Sequence, residues 1–389
     1  MAANQLVLAF SETSYNPSEV VEVHHGQNEL DEATPLPPGC ALVTFLAAPI
    51  NPQDLMAIAG RYPVKPAHLH LGKPIPGNDG VARVEAIGPA GTNKSSPGTT
   101  AIQPGDLVIP RRHGLGTWRR KAVLPIDGLT RLPLNKSGPS SIDPVAASML
   151  RTVFLPAYLL AEDTRSLRPG DWVVQNAGAS TIAQLVAQFI RRKGAHVVSV
   201  VRDRPDPVDQ TLPDAGPMDV VLTEGQVAVF GVGAHPALEA AAAQGRVVLA
   251  LDAVFGESGE RLAGLLSKGA TFVNYGSLGG ADGVLRLSQR LIFWNEIKFR
   301  NFRLSEQLGK RSEREQETLL SWFAGLIASG ELRAPAVDKI PVPLDAPSVD
   351  RFQQKVREVL TAAARKEIGY RKSVFDFVES SETQLCADN

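Results

Sequence analysis

The sequence predicts an α/β fold of two domains, one β-rich and barrel-like, the other a parallel sheet covered by helices on both faces. Three observations predict it. The chain has 389 residues, long for a single hydrophobic core. Up to residue 149 its apolar runs are short and repeatedly broken by Pro and Gly, the texture of a barrel-like β domain. From residue 150 buried strands alternate with helix-period segments, the pattern of a doubly wound parallel sheet.

In the first half, residues 5–10, 41–46, 80–88 and 106–110 read as strands, and 93–100, rich in Ser, Pro and Gly, as an exposed loop. In the second, Trp172, Val173, Val174 and Gln175 form a buried strand, and 182–193 an amphipathic helix stopped at Gly194. Residues 196–201, 247–251 and 270–275 supply further strands, with helical sequence between them. The segment 208–244 carries Pro213 and Pro217 and has room for an insertion. Residues 313–329 read as a long helix, 334–337 and 340–343 as extended chain, and 348–366 as a last helix. Residues 371–389 are polar and are expected to be a loosely held tail. No internal repeat is visible.

Net charge is −1, so electrostatics favours neither nucleic acid nor an anionic membrane surface. The local clusters Arg111-Arg112 and Arg119-Arg120-Lys121 read as solvated surface. Cys40 and Cys386 are too few for a disulfide framework or a four-thiolate zinc site, so the chain suits a reducing compartment. No apolar run reaches the length of a membrane span. The first ten residues show neither a secretory core nor an Arg/Ser-rich transit pattern.

The most informative stretch is 171–206, which reads strand, tight loop, helix, strand and ends in Arg202-Asp203-Arg204-Pro205-Asp206. That is the order of a dinucleotide-binding βαβ unit. Against G-x-G-x-x-G, the loop 176–183 keeps glycine only at Gly178, with Ser180 and Ala183 at the other two positions. Small residues there still let backbone approach a pyrophosphate at a helix N-terminus, although the β-branched Thr181 crowds it more than glycine would. Arginines after the second strand fit a ribose 2′-phosphate, because a guanidinium grips phosphate through paired hydrogen bonds, and Val201 stands where an NAD site carries an acid. Asp203 can neutralise a neighbouring arginine. The segment therefore points to NADPH and to hydride transfer.

Several motifs accompany it. They are Leu46-Ala47-Ala48-Pro49-Ile50-Asn51-Pro52-Gln53-Asp54, then Gly60-Arg61-Tyr62-Pro63, then Gly77-Asn78-Asp79-Gly80-Val81-Ala82, and Gly114-Leu115-Gly116-Thr117-Trp118-Arg119. With Gln175-Asn176-Ala177 and the arginine segment, the chain resembles the mitochondrial trans-2-enoyl-CoA reductases, a family of the zinc-free medium-chain dehydrogenase/reductases. The resemblance spans residues 5–368 and fades between 208 and 244. It implies a GroES-like β-rich catalytic domain from both chain ends, 1–149 and 335–389, and a Rossmann cofactor-binding domain at 150–334. It implies NADPH-dependent reduction of trans-2-enoyl thioesters in mitochondrial fatty acid biosynthesis, on CoA or acyl carrier protein. Homodimers pairing cofactor-domain sheets edge to edge are implied too, with 272–275 or 285–293 near that edge. Tyr62 falls on the family's catalytic tyrosine. Nucleotide contacts fall on Gly178, Ala179, Ser180, Thr181 and Ile182, on Arg202, Asp203 and Arg204, on Tyr275, Gly276, Ser277 and Leu278, on Phe302, Arg303 and Leu304, and on Lys366.

Reducing a 2-enoyl thioester requires hydride at C3, a proton at C2 and a donor to the thioester oxygen. A phenol is protonated at neutral pH, with a pKa of about 10, so Tyr62 can be proton donor or oxyanion partner. Read without the family, Tyr62 is an ordinary loop tyrosine. Trp118 is a candidate wall for an acyl channel, or a packed core residue. Asn51 and Asp54 cap a helix starting at Pro52, with Asn51 also a candidate substrate contact. His68 and His70 lack a third ligand, so no metal is expected. They lie in 65–73, which looks like a small insertion beside the Tyr62 loop. Departures from the family pattern gather around the cofactor: Val153 for a nicotinamide-contacting asparagine, Pro156 for a threonine, Thr181 and Ala183 for glycines, and Arg303 within an aromatic triplet. Three functions are open on this reading: an NADPH-dependent enoyl thioester reductase, a non-catalytic relative acting as structural subunit of a larger mitochondrial assembly, and an NADPH quinone reductase.

Overall fold

A computed structural model describes residues 5–26, 35–89, 101–132, 142–204, 219–280, 283–343, 348–365 and 371–377. The loop expected at 93–100, Lys366, Cys386 and the chain beyond 377 lie outside the described residues. The chain begins with β1 (Gln5–Phe10), α1 (Pro17–Val20), β2 (Val21–Gly26), β3 (Cys40–Pro49) and α2 (Pro52–Ile58). There follow β4 (Leu69–His70), β5 (Lys73–Pro74), β6 (Val81–Ile87), β7 (Leu107–Pro110), β8 (Lys121–Pro125), β9 (Leu129–Arg131) and α3 (Pro144–Ala147). The middle of the chain supplies α4 (Leu155–Asp163), β10 (Trp172–Gln175), α5 (Thr181–Arg191), β11 (His196–Val201) and β12 (Val220–Thr223). It continues with α6 (Glu224–Phe230), α7 (Pro236–Ala243), β13 (Val247–Asp252), α8 (Gly256–Gly264), β14 (Thr271–Asn274), β15 (Lys298–Asn301) and α9 (Leu304–Gly309). The last elements are α10 (Glu313–Ala328), β16 (Val337–Pro341), α11 (Val349–Ala364) and β17 (Lys372–Asp376).

Contacts divide the chain into one unit of residues 1–152 and 313–389 and a second of 153–312. The return to the first unit thus falls before α10, whereas the sequence places it at 334/335, where extended chain resumes.

The first unit is built on a sheet of order β16-β17-β3-β6-β7-β9, with β8 also pairing β3. All its pairs are antiparallel except β16 with β17. Along β3 buried and half-buried residues alternate, as the two-residue period of a strand requires. Its core gathers Leu8, Phe45, Trp118, Val356 and Phe375. Two expectations change here. The tail expected from 371 begins as β17, paired with both β3 and β16, because Val374 and Phe375 are buried within it. Arg119 and Arg120 are not solvated: they are 7% and 8% exposed. Arg120 N–H bonds to the Leu6 carbonyl at 3.0 Å and Arg119 Nη2 donates to the Leu115 carbonyl at 3.0 Å, which ties both into the sheet margin. Part of the segment 65–73 forms the β4-β5 ribbon, in which Leu69 pairs with Pro74 and His70 with Lys73.

The second unit holds a six-stranded, wholly parallel sheet of order β12-β11-β10-β13-β14-β15. The order reverses between β10 and β13, and in open α/β sheets ligands bind beyond the carboxyl ends of strands at such a switch point. Its inner strands are buried on both faces, β10 and β13 throughout, which explains runs without alternation, whereas β15 is largely exposed. β14 is an interior strand, with Phe272 only 1% exposed, so the free edge expected at 272–275 belongs instead to β15. Before α4, residues Leu150–Phe154 form a π turn. Pro156 explains it: lacking an N–H, it cannot bond the carbonyl of Thr152 and would collide with it in a regular helix.

Candidate active site

In the second unit, the residues assigned to the nucleotide come together beyond the carboxyl ends of four strands. Gly178, Ala179, Ser180, Thr181 and Ile182 follow β10, and Arg202, Asp203 and Arg204 follow β11. Tyr275, Gly276, Ser277 and Leu278 follow β14, and Phe302, Arg303 and Leu304 follow β15. Ala177 adopts a left-handed backbone, φ 47°, a strained conformation for a residue with a Cβ and one that concentrates at ligand-holding turns. Gly178 packs directly on β11: a Cβ there would lie 2.7 Å from the Ser199 Cβ. This first glycine therefore serves loop-to-strand packing. Ser180 caps α5, its hydroxyl accepting the Ala183 N–H at 3.2 Å. The N–H groups of Thr181 and Ile182 have no acceptor within the helix, which makes its end a site for an anion. Thr181 is itself only 8% exposed.

A polar network fixes the neighbouring strand ends. Asn176 Nδ2 donates to Asp252 at 2.6 Å and to the Ser258 hydroxyl at 2.9 Å, while its Oδ1 accepts the Ala253 N–H at 2.7 Å. Asp252 also accepts the N–H groups of Val254 and Phe255 and the amide of Asn274. The loop after β14 lies flat on this turn: a Cβ on Gly276 would come within 2.7 Å of the Ala253 carbonyl. The Tyr275 hydroxyl is buried beside Ser180, and burial pushes its pKa up. Asp203 does not sit against the arginines as a neutralising partner. It accepts the Gly225 N–H at 2.9 Å, and hydrogen bonding, first from the Thr223 side chain and then from Gly225, keeps its carboxyl below the usual range. Arg202 is exposed and Arg204 half-buried at the end of β11. Arg303, also exposed, pairs with Glu306 at 3.6 Å, and Phe302 is packed in.

A dinucleotide with a 2′-phosphate fits these residues. The open N–H groups at α5 suit a pyrophosphate, the cations after β11 suit the 2′-phosphate, and the buried Tyr275 hydroxyl awaits a polar partner.

The first unit carries a second, more buried constellation. Tyr62 Oη and His113 Nδ1 are hydrogen-bonded at 2.5 Å, their rings 5.7 Å apart. Burial raises the Tyr62 pKa, with Asp54 adding and Arg151 opposing, so the phenol keeps its proton. Burial, reinforced by Arg151, lowers His113 to about 4, so the imidazole is neutral at neutral pH. Behind them, Asp54 is fully buried at the start of α2. It accepts the Asn51 N–H at 2.7 Å and both the backbone and side-chain N–H of Asn78, at 2.9 and 2.7 Å. Asn78 Oδ1 in turn accepts the Gly114 N–H at 2.7 Å, fastening the loop that carries His113. Lys372 donates to Asn51 Oδ1 at 2.7 Å. Asp79 is fully buried and accepts the Thr152 hydroxyl. Burial raises Asp54 to about 7 and Asp79 to about 6, and lowers Lys372 to about 8.

The structure gives Asn51 a structural task, capping α2 and accepting Lys372, at 3% exposure. Trp118 is corrected from channel wall to core: it has no exposed surface, its indole N–H reaches the Pro49 carbonyl at 3.4 Å, and its ring meets Phe375 edge-on. Among the described residues no His, Cys, Asp and Glu cluster can hold a metal, and no helix is long and apolar enough to cross a membrane. Sequence reasoning missed His113, Arg151 and Thr152. For His113 a signal existed, its position beside Gly114 in a motif already singled out. Arg151 gave none, because its sequence neighbours do not show that its Nη1 is buried.

No family model matches the chain. Among curated proteins it is 34% identical to the human protein named enoyl-[acyl-carrier-protein] reductase, mitochondrial, over 308 residues, 77% of this chain and 74% of the relative. It is 26% identical to the Arabidopsis thaliana protein of the same name, covering 91% of each. Among solved structures, the mitochondrial 2-enoyl thioester reductase Etr1p/Etr2p heterodimer from Candida tropicalis superposes with a TM-score of 0.78 at 24% identity, over 96% of this chain and 100% of that one. The structural likeness establishes the fold, a GroES-like domain joined to a Rossmann domain. With a nucleotide-binding strand switch in one unit and a half-buried, protonated tyrosine in the other, the sequence likeness completes the assignment: the chain belongs to the mitochondrial enoyl-[acyl-carrier-protein] reductase family.

Proposed function

We propose that this protein reduces the C2=C3 double bond of trans-2-enoyl thioesters, on CoA or acyl carrier protein, using NADPH, in mitochondrial fatty acid synthesis. The observation that carries the reading is Tyr62, a phenol kept protonated by burial and held by His113 in a chain of this family. When bound, NADPH supplies the hydride that C3 receives. The chain does the rest. The N–H groups opening α5, with Arg202 and Arg204, hold the phosphates of the nucleotide. Tyr62 donates to the thioester oxygen or to C2. For its proton to face the substrate, His113 must carry hydrogen on Nδ1 and donate it to the Tyr62 oxygen; the neutral imidazole allows this tautomer. Of the altered positions, Thr181 is largely out of solvent and Arg303 pairs with Glu306. The partner we propose is a second copy of the chain, paired through the free edge of β15.

Fluorescence titration of the full chain with NADPH, followed by an assay of crotonyl-CoA reduction, tests the reading. The expected result is saturable NADPH binding and turnover, with Tyr62→Phe lowering kcat by about 10²- to 10⁴-fold, the range for a positioned proton donor, while NADPH affinity is unchanged. No binding at millimolar NADPH would sink it.

A further inference from the structure

The geometry points to Arg151 as an additional catalytic group, the cationic donor that takes the negative charge developing on the thioester oxygen beside Tyr62. This rests on the enoyl reductase reading and adds a residue to it. Arg151 stands in the π turn Leu150–Phe154, ahead of Pro156. Its Nη1 is buried and has no hydrogen-bond partner among the described residues. The next residue, Thr152, spends its hydroxyl on Asp79. The Asp79 Oδ1 is likewise buried and unpartnered, so the obvious counter-ion does not take the guanidinium N–H. A buried charged donor without an acceptor is costly, and in native proteins such a group calls for a missing ligand or water. The charge of Arg151 is felt at Tyr62, His113 and Asp79. The other charged groups bearing on this cluster are Asp54, which acts on Tyr62, and Lys372, which acts on both carboxylates.

Asp79 Oδ1 and His113 Nε2 are unpartnered acceptors of the cluster, yet neither takes the Arg151 Nη1 N–H. Tyr62 and Arg151 are both donors, as is the buried Asn51 Nδ2, also unpartnered. An oxygen that becomes anionic during the reaction is the acceptor such a set selects. As C3 gains hydride, the C2=C3 electron pair moves to join C2 and C1, and the carbonyl pair moves to oxygen, giving an enolate. Arg151 holds that oxyanion. The pair then returns to carbonyl, C2 takes the Tyr62 proton, and the phenolate recovers a proton from solvent. Every atom and charge is accounted for without a further reactant.

The test uses the full chain and two readouts. In the first, kcat for crotonyl-CoA is measured for Arg151→Ala and Arg151→Lys alongside NADPH affinity. Arg151→Ala is expected to lose about 10²- to 10³-fold in kcat, as when an oxyanion donor is removed, with Arg151→Lys between it and wild type, added guanidine partly restoring Arg151→Ala, and NADPH affinity unchanged. A folded Arg151→Ala within threefold of wild type overturns the inference. The second needs no turnover. Acetoacetyl-CoA can bind as its enolate, which has its own ultraviolet band, and the wild-type protein is expected to show that band at a pH where free acetoacetyl-CoA does not. If Arg151→Ala does not fold, absence of the band in wild type, or an equal band in Arg151→Lys, overturns the inference. Reduction without dependence on Arg151 removes this proposal and leaves the reductase reading. An Arg151-dependent enolate band without reduction does the reverse.

Discussion

A neutral imidazole against a protonated phenol makes His113 the residue whose titration reports on the site. The unfolded chain takes up a proton on this side chain near a pH of about 6.5. The folded chain does so only at about 4, because burial and then Arg151 penalise the imidazolium. Between those values the unfolded state holds more protons, so the stability contribution of His113 is present above about 6.5 and is lost as pH falls toward 4. Asp54 and Asp79 act in the opposite sense: raised to about 7 and about 6, they keep protons in the folded state that the unfolded state has released. The net curve of the wild type therefore mixes signs, and a variant isolates one. His113→Asn keeps a hydrogen-bond donor near Tyr62 and removes the titration. Denaturation midpoints measured from pH 7 to pH 4.5 should converge, the wild type losing more stability than the variant; parallel curves would refute the assignment. His113 was legible only as a neighbour of Gly114. Burial sets its pKa, and burial comes from Asn78 clamping the Gly114 N–H, a contact 36 positions apart.

At the scale of elements, the strands and helices of the second unit were readable because a doubly covered parallel sheet forces continuous apolar runs. The helix read at 182–193 is Thr181–Arg191, and the strand read at 196–201 is β11 with the same bounds. The less readable pieces owe their form to partners distant in sequence. β17 looks like tail because its five residues have too little pattern, and it becomes a strand through β3, more than 300 positions earlier. The π turn is a local effect of Pro156, yet the burial of the Arg151 Nη1, in a side chain otherwise half-buried, depends on what surrounds it. The loop from β10 to α5 shows the same limit: a single glycine was a weak motif, but the structure makes it indispensable. Gly178→Ala puts a methyl group 2.7 Å from the Ser199 Cβ and 3.1 Å from the Ser199 carbonyl carbon, backbone that cannot step aside. The expected cost is about 1–3 kcal/mol, as for overpacking generally, seen as a lower denaturation midpoint together with weaker NADPH binding. The same midpoint and affinity as wild type would show that the loop moves freely off β11.

For the whole molecule, assembly is a matter of which surfaces are left uncovered. The second unit's sheet ends at β12 on one side and at β15 on the other, and among the described residues no strand lies beyond β15. An unpaired edge is a template for another chain unless it is guarded. Lys298 is a guard of the usual kind, but the turn leading into the strand is not guarded: Ile292, Phe293 and Trp294 are 53%, 65% and 64% exposed. Large apolar groups gathered beside a free edge mark an interaction surface. A second copy presenting the same edge across a twofold axis would pair β15 with β15 and cover both turns, the closed symmetry that most homo-oligomers adopt. The wild type should therefore sediment as a dimer. Trp294→Asp combined with Phe293→Asp places two carboxylates in each turn, four across the twofold, and should shift the protein to monomer at micromolar concentration while leaving the fold of each copy intact by circular dichroism. A double variant that still sediments as a dimer, or a wild type that is monomeric throughout, would move the interface elsewhere or remove it. Because Tyr62, His113 and Arg151 all lie in the first unit, a monomeric variant should also keep their contacts with one another, so any loss of turnover in it would report on the nucleotide-binding unit rather than on the proton donor.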